Sequence, residues 1–220
     1  MRVLVVDSAL ARCTAAVVRD GAVLAERTVT GQRGQLATLA VLVGAALRDA
    51  TMPAASLDLV AVTVGPGSFT GVRAGLALAE GIAAAVGVPA VGVTVGEAIA
   101  DALPRLGARA LWVAIGARRG RFFLGIGGAF RSVPLDGLPS PSLAQRIAIA
   151  GDAAPEVAAR LAARGNDVML TDARLPAVRS VALVAARRAA GVLPTLPLRP
   201  LYVDAPEASL PAGGLRPPPG

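Results

Sequence analysis

The chain has 220 residues, 54% of them hydrophobic and only 3% aromatic, with 22 basic against 15 acidic residues and a net charge of +7. That length buries a real core in one domain or two compact lobes, built from Ala, Val and Leu instead of aromatic clusters. Histidine is absent and Cys13 is the one cysteine, which excludes an internal disulfide, the usual zinc sites and hydrolases that rely on Ser-His or Cys-His pairs.

In chain order, Arg2 to Asp7 is a nearly continuous apolar run of the kind found in buried strands, and strands at Cys13 to Arg19 and Ala22 to Val29 follow. The Asp20-Gly21 pair between those two is a strong hairpin signal. Gln35 to Ala50 reads as a helix with no charge before Arg48, placing Leu36, Leu39, Val43 and Ala46 on one stripe. A strand at Leu57 to Val64, a helix running to Val86 and a strand at Ala90 to Val95 come next. A lobe boundary falls near Leu103-Pro-Arg-Leu-Gly107. Beyond it, strands at Ala110 to Ile115 and Arg121 to Ile126 flank Gly116-Ala-Arg-Arg-Gly120, and helices are expected at Ala154 to Arg164 and Val178 to Gly191. After Gly191 the chain turns Pro-rich, and residues 206–220 have too little apolar surface to offset ordering entropy, so they read as a disordered tail.

The stretch Gly65-Pro-Gly-Ser-Phe-Thr-Gly-Val-Arg73 is the most informative. Gly65 and Gly67 allow backbone torsions closed to other residues, Pro66 fixes one φ, and Ser68 or Thr70 can cap the amides of the following helix. Those amides also suit an anion, so the run serves either as a plain turn or as a phosphate cradle, with Gly65, Gly67 and Ser68 as the binding candidates. It is neither a dinucleotide fingerprint nor a Walker loop. Asp7 and Ser8 end the first strand, where a carboxylate either holds a hydrated Mg²⁺ or caps the turn to Ala11. In the helix to Val86, Gly71, Gly75, Leu78, Ile82 and Ala85 share a face. A helix apolar almost all round is covered on more than one side, by a deep core or by a helix across a subunit boundary. Arg73 and Glu80 lie two turns apart, as interface contacts or as a solvated face.

The stretch Phe69 to Val95 carries Arg73, Glu80 and Pro89 and reads as a buried helix, not a membrane span. The N-terminus lacks the pattern of a secretory signal, which gives the expectation of a cytoplasmic chain with no membrane contact. All the basic residues are Arg, a mark of GC-rich coding more than of chemical need. The pI of about 11.4 still permits attraction to an acidic partner such as tRNA. No Arg-and-aromatic platform for stacking bases is visible in the sequence.

The nine-residue run closely resembles the GPGSFTGVR signature of the TsaB (YeaZ) family of tRNA threonylcarbamoyladenosine biosynthesis proteins. The resemblance extends to Val3-Leu-Val-Val-Asp-Ser8, to Leu57 through Val64, to Gly87-Val-Pro-Ala-Val-Gly-Val93 and to Pro200-Leu-Tyr-Val203. It implies an α/β chain of actin-like ATPase (RNase H-like) fold in two lobes. Residues 1–105 would form the N-terminal lobe, residues 106–205 a smaller lobe whose last helix packs back on the first, and residues 206–220 the tail; the opening strand meander followed by helix and strand alternation suits that fold.

By the same resemblance the chain is a non-catalytic paralogue of TsaD, with no catalytic or metal-binding residues and no tightly held cofactor. It would pair with TsaD as a heterodimer, meet the ATPase TsaE, form a homodimer when alone, and contact tRNA only through the complex, with ATP or ADP and Mg²⁺ at the junction with TsaD. The interface set so implied is Leu36, Leu39, Val43, Thr70, Gly71, Arg73, Gly75, Leu78, Ala79 and Ile82. Two positions depart from the family pattern. Gly116 stands where an Asp-Ala-Arg sequence is expected, removing a carboxylate, and Gly31-Gln-Arg-Gly-Gln35 replaces an Arg-x-His-Ser stretch. The alternatives are an autonomous actin-like ATPase or small-molecule kinase, which Gly116 disfavours, and a glycoprotease-like peptidase, which lacks His and paired metal-binding acids.

Overall fold

The computed structural model describes residues 1–30, 35–103, 105–142 and 144–204. The Gly31 to Gly34 departure and the Pro-rich 206–220 segment lie outside the described residues, as does Pro104 within the boundary stretch.

The first sheet is centred on β1 (Arg2–Asp7), which runs antiparallel to β2 (Arg12–Arg19) and parallel to β4 (Leu59–Thr63). With β3 (Ala22–Thr30) and β5 (Ala90–Val93) its order is β3-β2-β1-β4-β5. Asp20 and Gly21 take φ of 51° and 79°, the left-handed pair that a tight hairpin between right-twisted strands requires. β1 is buried because both its faces are covered. Leu4 and Val6 share a core with α1 (Leu39–Asp49) and α2 (Phe69–Val86), whereas Val3 and Val5 share one with α5 (Val178–Ala189).

The expected strand to Val95 stops at Val93, because Thr94 opens α3 (Val95–Asp101) instead. Thr94 Oγ1 accepts the Glu97 N–H at 3.1 Å and Glu97 Oε2 accepts the Thr94 N–H at 2.8 Å. This is a capping box, and Thr-x-x-Glu was its signal in the sequence. The predicted helix from Gln35 begins as a 3-10 turn, Gln35–Thr38, before α1.

The second sheet has the order β10-β9-β6-β7-β8. Of its strands, β6 (Ala110–Gly116) and β7 (Arg121–Ile126) were legible in the sequence. β8 (Ala129–Pro134), β9 (Ile147–Ala150) and β10 (Val168–Leu170) were not: β9 and β10 are runs of only four and three residues, and β8 is a mostly exposed strand that carries Arg131 and Ser132 and ends in Pro134. α4 (Ala154–Ala162) lies against β6, β9 and β10, but α5 returns to the first sheet. From β8, Phe130 reaches across to the first lobe. A Cβ on Gly96 of α3 would meet its ring at 2.9 Å and one on Gly125 of β7 at 2.7 Å, so both glycines make room for that aromatic wedge.

After α5 a strap runs to Asp204. Arg188, 8% exposed, donates to the carbonyls of Gly92 (2.7 Å) and Pro194 (2.8 Å) and to the Glu97 carboxylate, tying α5, β5, α3 and the strap together. Further along, the Leu201 N–H donates to the Val64 carbonyl at 2.8 Å, which lays the strap beside the signature loop.

Candidate functional site

The signature loop is built around close backbone approach. A Cβ on Gly67 would sit 2.0 Å from the Ala9 carbonyl oxygen, and one on Gly71 would sit 2.1 Å from that of Ser8. Only glycine lets α2 and its entry loop press on the turn after β1. The contact is sealed by polar bonds. Ser68 N–H donates to Ala9 O at 2.7 Å, and Ser8 Oγ donates to Gly71 O at 2.8 Å. Ser68 Oγ caps α2 by accepting the Gly71 N–H at 3.2 Å. Gly65, at φ 103°, uses its carbonyl to accept the Val95 N–H. The Gly65 carbonyl, the Ser68 N–H and the Ser68 hydroxyl are thus used in the loop's own architecture, which favours the plain-turn reading of these residues.

Asp7 is sealed. Its carboxylate is fully buried, and Oδ1 accepts Thr63 Oγ1–H at 2.6 Å and the Ala9 N–H at 3.2 Å. Oδ2 has no hydrogen-bond donor among the described residues and faces Arg12 Nε at 3.9 Å. Burial pushes the Asp7 carboxyl above its ordinary pKa, opposed by the Thr63 and Ala9 hydrogen bonds and the Arg12 charge. The fold family places a Mg²⁺-bound nucleotide beside this strand end, but the residues here do not fit one within the lone chain. The unbonded oxygen looks onto a guanidinium where a cation would have to stand. The expectation that Asp7 and Ser8 touch phosphate or metal is corrected on that ground: both are at most 3% exposed, Asp7 bonding Thr63 and Ala9 while Ser8 ties the first turn of α2 to the end of β1.

The interface set divides in two. Leu39, Val43, Gly71, Gly75 and Ala79 are buried in the chain's own core, and a Cβ on Gly75 would lie 2.6 Å from Ser8 Oγ. The stripe of small residues on α2 is thus the face that packs on β1 and β4, and the assignment of these five to a partner is corrected. Leu36 falls in the 3-10 turn, and its side chain lies outside the described residues. Thr70 and Arg73 are exposed, and Leu78 and Ile82 are half-buried at the margin of the core. The exposed ridge of α2 continues through Ala77, Glu80, Gly81, Ala84 and Ala85. By length and composition α2 is long and apolar enough to cross a membrane, with mean hydropathy 1.3, yet only 33% of it is buried. It is a core helix on one side and bare on the other in the lone chain, so the chain's own core does not cover it all round.

Two features escaped the sequence. The Gly116 N–H is accepted by Asp152 Oδ1 at 2.9 Å, and both Asp152 oxygens lie 3.9 Å from where a Gly116 side chain would begin. A carboxylate therefore stands at the end of β6 after all, delivered from the turn after β9. Its enclosure pushes the carboxyl above its ordinary pKa, opposed by the N–H groups of Gly116 and Ala153. The second is an aromatic cluster at the start of α2. The Arg73 guanidinium lies 3.7 Å above the Phe69 ring, and its Nε donates to the Tyr202 hydroxyl at 2.7 Å. Tyr202 arrives on the strap, 129 residues away in sequence, so no local pattern could announce it. Beneath the cluster lies a hollow of about 170 Å³ lined by Gly67, Phe69, Phe123, Leu201, Tyr202 and Asp204. A larger cleft of about 780 Å³ opens elsewhere, between α3, β6 and the β7–β8 hairpin, and its walls are mainly carbon.

Two sheets of mixed strands, each begun by an antiparallel meander and joined by returning helices, define a two-lobed α/β protein of the actin-like ATPase fold. YeaZ from Pseudomonas aeruginosa has the same fold, with a TM-score of 0.73 at 23% identity over 91% of this chain and 99% of that one. The chain belongs to the family of TsaD, tRNA N6-adenosine threonylcarbamoyltransferase, whose model matches residues 24–174, and it is a homologue of TsaB/YeaZ. It is 32% identical over 124 residues to the Escherichia coli tRNA threonylcarbamoyladenosine biosynthesis protein TsaB, covering 56% of this chain and 53% of that protein. An uncharacterized protein of Mycobacterium tuberculosis is 44% identical over 99 residues, 44% of this chain and 47% of that one. The chain thus spans about half the length of the curated relatives it matches.

Proposed function

We propose that this chain is the non-catalytic partner of a TsaD-family transferase in the system that adds threonylcarbamoyl to the adenosine next to the anticodon of tRNAs reading codons that begin with A. The observation that carries the reading is the bare ridge of α2. Thr70, Ala77, Gly81, Ala84 and Ala85 are exposed beside half-buried Leu78 and Ile82, with Glu80 the one charge among them, a largely small-residue surface on which another helix can approach closely. The sealed Asp7 supports the same reading, because a buried carboxylate facing Arg12 does not orient a nucleophile or a metal.

In this role the chain holds the transferase in its competent form. A second protein supplies threonylcarbamoyl-adenylate, the transferase moves the group to adenosine, and TsaE joins as an ATPase. ATP or ADP with Mg²⁺ sits at the junction with the transferase, tRNA is met through the complex, and the assembly works in the cytoplasm. Without its partner the chain uses the same ridge to form a homodimer. The test is reconstitution: the purified chain alone neither hydrolyses ATP nor modifies tRNA, and adding it to the transferase, TsaE and the adenylate-forming enzyme restores modification. An Ala77→Arg variant folds but does not restore it. Full activity of the complex with Ala77→Arg sinks the docking reading.

One observation favours a second reading, an autonomous ATPase or small-molecule kinase: Asp152 supplies the second-lobe carboxylate that Gly116 lacks. ATP turnover by the lone chain that disappears in both Asp7→Asn and Asp152→Asn would establish it.

A further inference from the structure

We propose that Phe69, Arg73 and Tyr202 form a recognition site for a carboxylate on the partner protein, with Tyr202 acting as a positioning residue brought by the strap. The inference rests on the partner reading above and assigns where that partner is recognised. Three observations carry it. Arg73 is exposed, yet it is not free to wander: its guanidinium is stacked 3.7 Å over Phe69 and fixed through Nε to the Tyr202 hydroxyl. Its two terminal amino groups hold no hydrogen bond or ion pair among the described residues, whereas Arg2, Arg12, Arg27, Arg109, Arg187 and Arg188 each face a carboxylate. Finally, Phe69 and Tyr202 are 45% and 42% exposed in a chain that is otherwise poor in aromatics, and they stand at the start of the bare α2 ridge.

A stacked guanidinium with its outer edge open presents two parallel N–H donors, the geometry that takes a carboxylate side by side. Because Phe69 and Tyr202 have already fixed the fork, little side-chain entropy is lost when the partner docks, and the aromatic rings exclude water around the pair. An acidic side chain at the edge of an apolar helical surface on the partner is therefore the occupant that satisfies both the charge and the ridge beside it. The same cluster is the Arg-and-aromatic platform absent from the linear sequence, so a nucleic acid is the competing occupant. One face of Phe69 is already covered by Arg73, which leaves a base less room to stack, and the neighbouring ridge, mostly Ala and Gly with exposed Glu80, offers phosphates no cation and only the Thr70 hydroxyl.

The test measures the affinity of the full chain for the purified TsaD-family transferase of the same organism, and in parallel for the anticodon stem-loop of one of its tRNAs. Arg73→Ala is expected to weaken transferase binding by about 10-fold or more, and Arg73→Lys by nearly as much, because an ammonium cannot keep the planar fork. Tyr202→Phe, which keeps the ring but frees Nε, is expected to lose about 3-fold or more and to leave the melting temperature unchanged. Wild-type binding weakens with added salt more steeply than Arg73→Ala binding does. If Arg73→Ala binds like wild type while Ala77→Arg does not bind, this assignment is wrong and the ridge reading stands. If wild type shows no affinity for the transferase, both fail. Loss of stem-loop binding in Arg73→Ala with transferase binding intact overturns the carboxylate site in favour of RNA.

Discussion

Asp152 accepts the backbone N–H of Gly116 at 2.9 Å, so the end of β6 carries a carboxylate although its own residue has no side chain. Gly116→Asp would therefore add a second carboxylate, on a side chain whose Cβ starts 3.9 Å from both Asp152 oxygens, instead of filling a vacancy. Like charges at that range repel. Gly116→Asp is expected to lower stability, and Asp152→Ala in the same chain to recover part of it, with a coupling of about 1 kcal/mol. Urea denaturation of the two single variants and the double variant measures it, and a Gly116→Asp chain as stable as wild type would falsify the arrangement.

The small residues of α2 face inward and its ridge faces outward, so substitutions at Gly75 and Ala79 should behave oppositely to one at Ala77 between them. Gly75→Leu drives a side chain onto Ser8 Oγ, and Ala79→Arg places a charge where the residue is 0% exposed. Overpacking of this kind costs about 1–3 kcal/mol, and an unpaired buried charge costs more. Both variants should lose folded structure by circular dichroism, while Ala77→Arg melts like wild type and loses only its partner.

Ser68 is spent as a helix cap. Ser68→Ala leaves the Gly71 N–H without the Ser68 oxygen and should cost about 0.5–2 kcal/mol, read as a lower denaturation midpoint. Transferase binding by the folded variant should be unchanged, and a loss of binding without loss of stability would return the loop to ligand duty.

Asp7 makes stability depend on pH in a defined direction. Its native pKa is raised by burial, so the folded chain holds the proton more tightly than the unfolded one does. The contribution is fully present below the unfolded carboxylate pKa and is lost as pH rises through the raised native value. Asp7→Asn should fold and lack that decline. Melting temperatures of the two proteins across the acid range decide it, and parallel profiles would show that Asp7 is not the source.

Arg188 is the knot between α5 and the strap. Arg188→Ala leaves the carbonyls of Gly92 and Pro194 and the Glu97 carboxylate without this donor, a loss of about 2 kcal/mol or more. Because the strap delivers Tyr202, the variant should also weaken transferase binding, which separates it from a purely local defect such as Ser68→Ala.

The sequence by itself determined the fold and the family. The apolar run of β1, the Asp-Gly hairpin and the nine-residue signature are local patterns, and local backbone chemistry is what turns, caps and strand periodicity record. Tertiary structure alone decided which face of α2 is free, since Ala77 and Ala79 are the same residue and only the position of β1 and β4 leaves one exposed and the other buried. It closed Asp7 behind Thr63 and Arg12, and it set Asp152 beside Gly116 across 36 residues. It also joined Arg73 to Tyr202 across 129 residues. Those pairings depend on how β6 lies against β9 and on where the strap crosses the signature loop, contacts between elements that no periodicity within one element encodes.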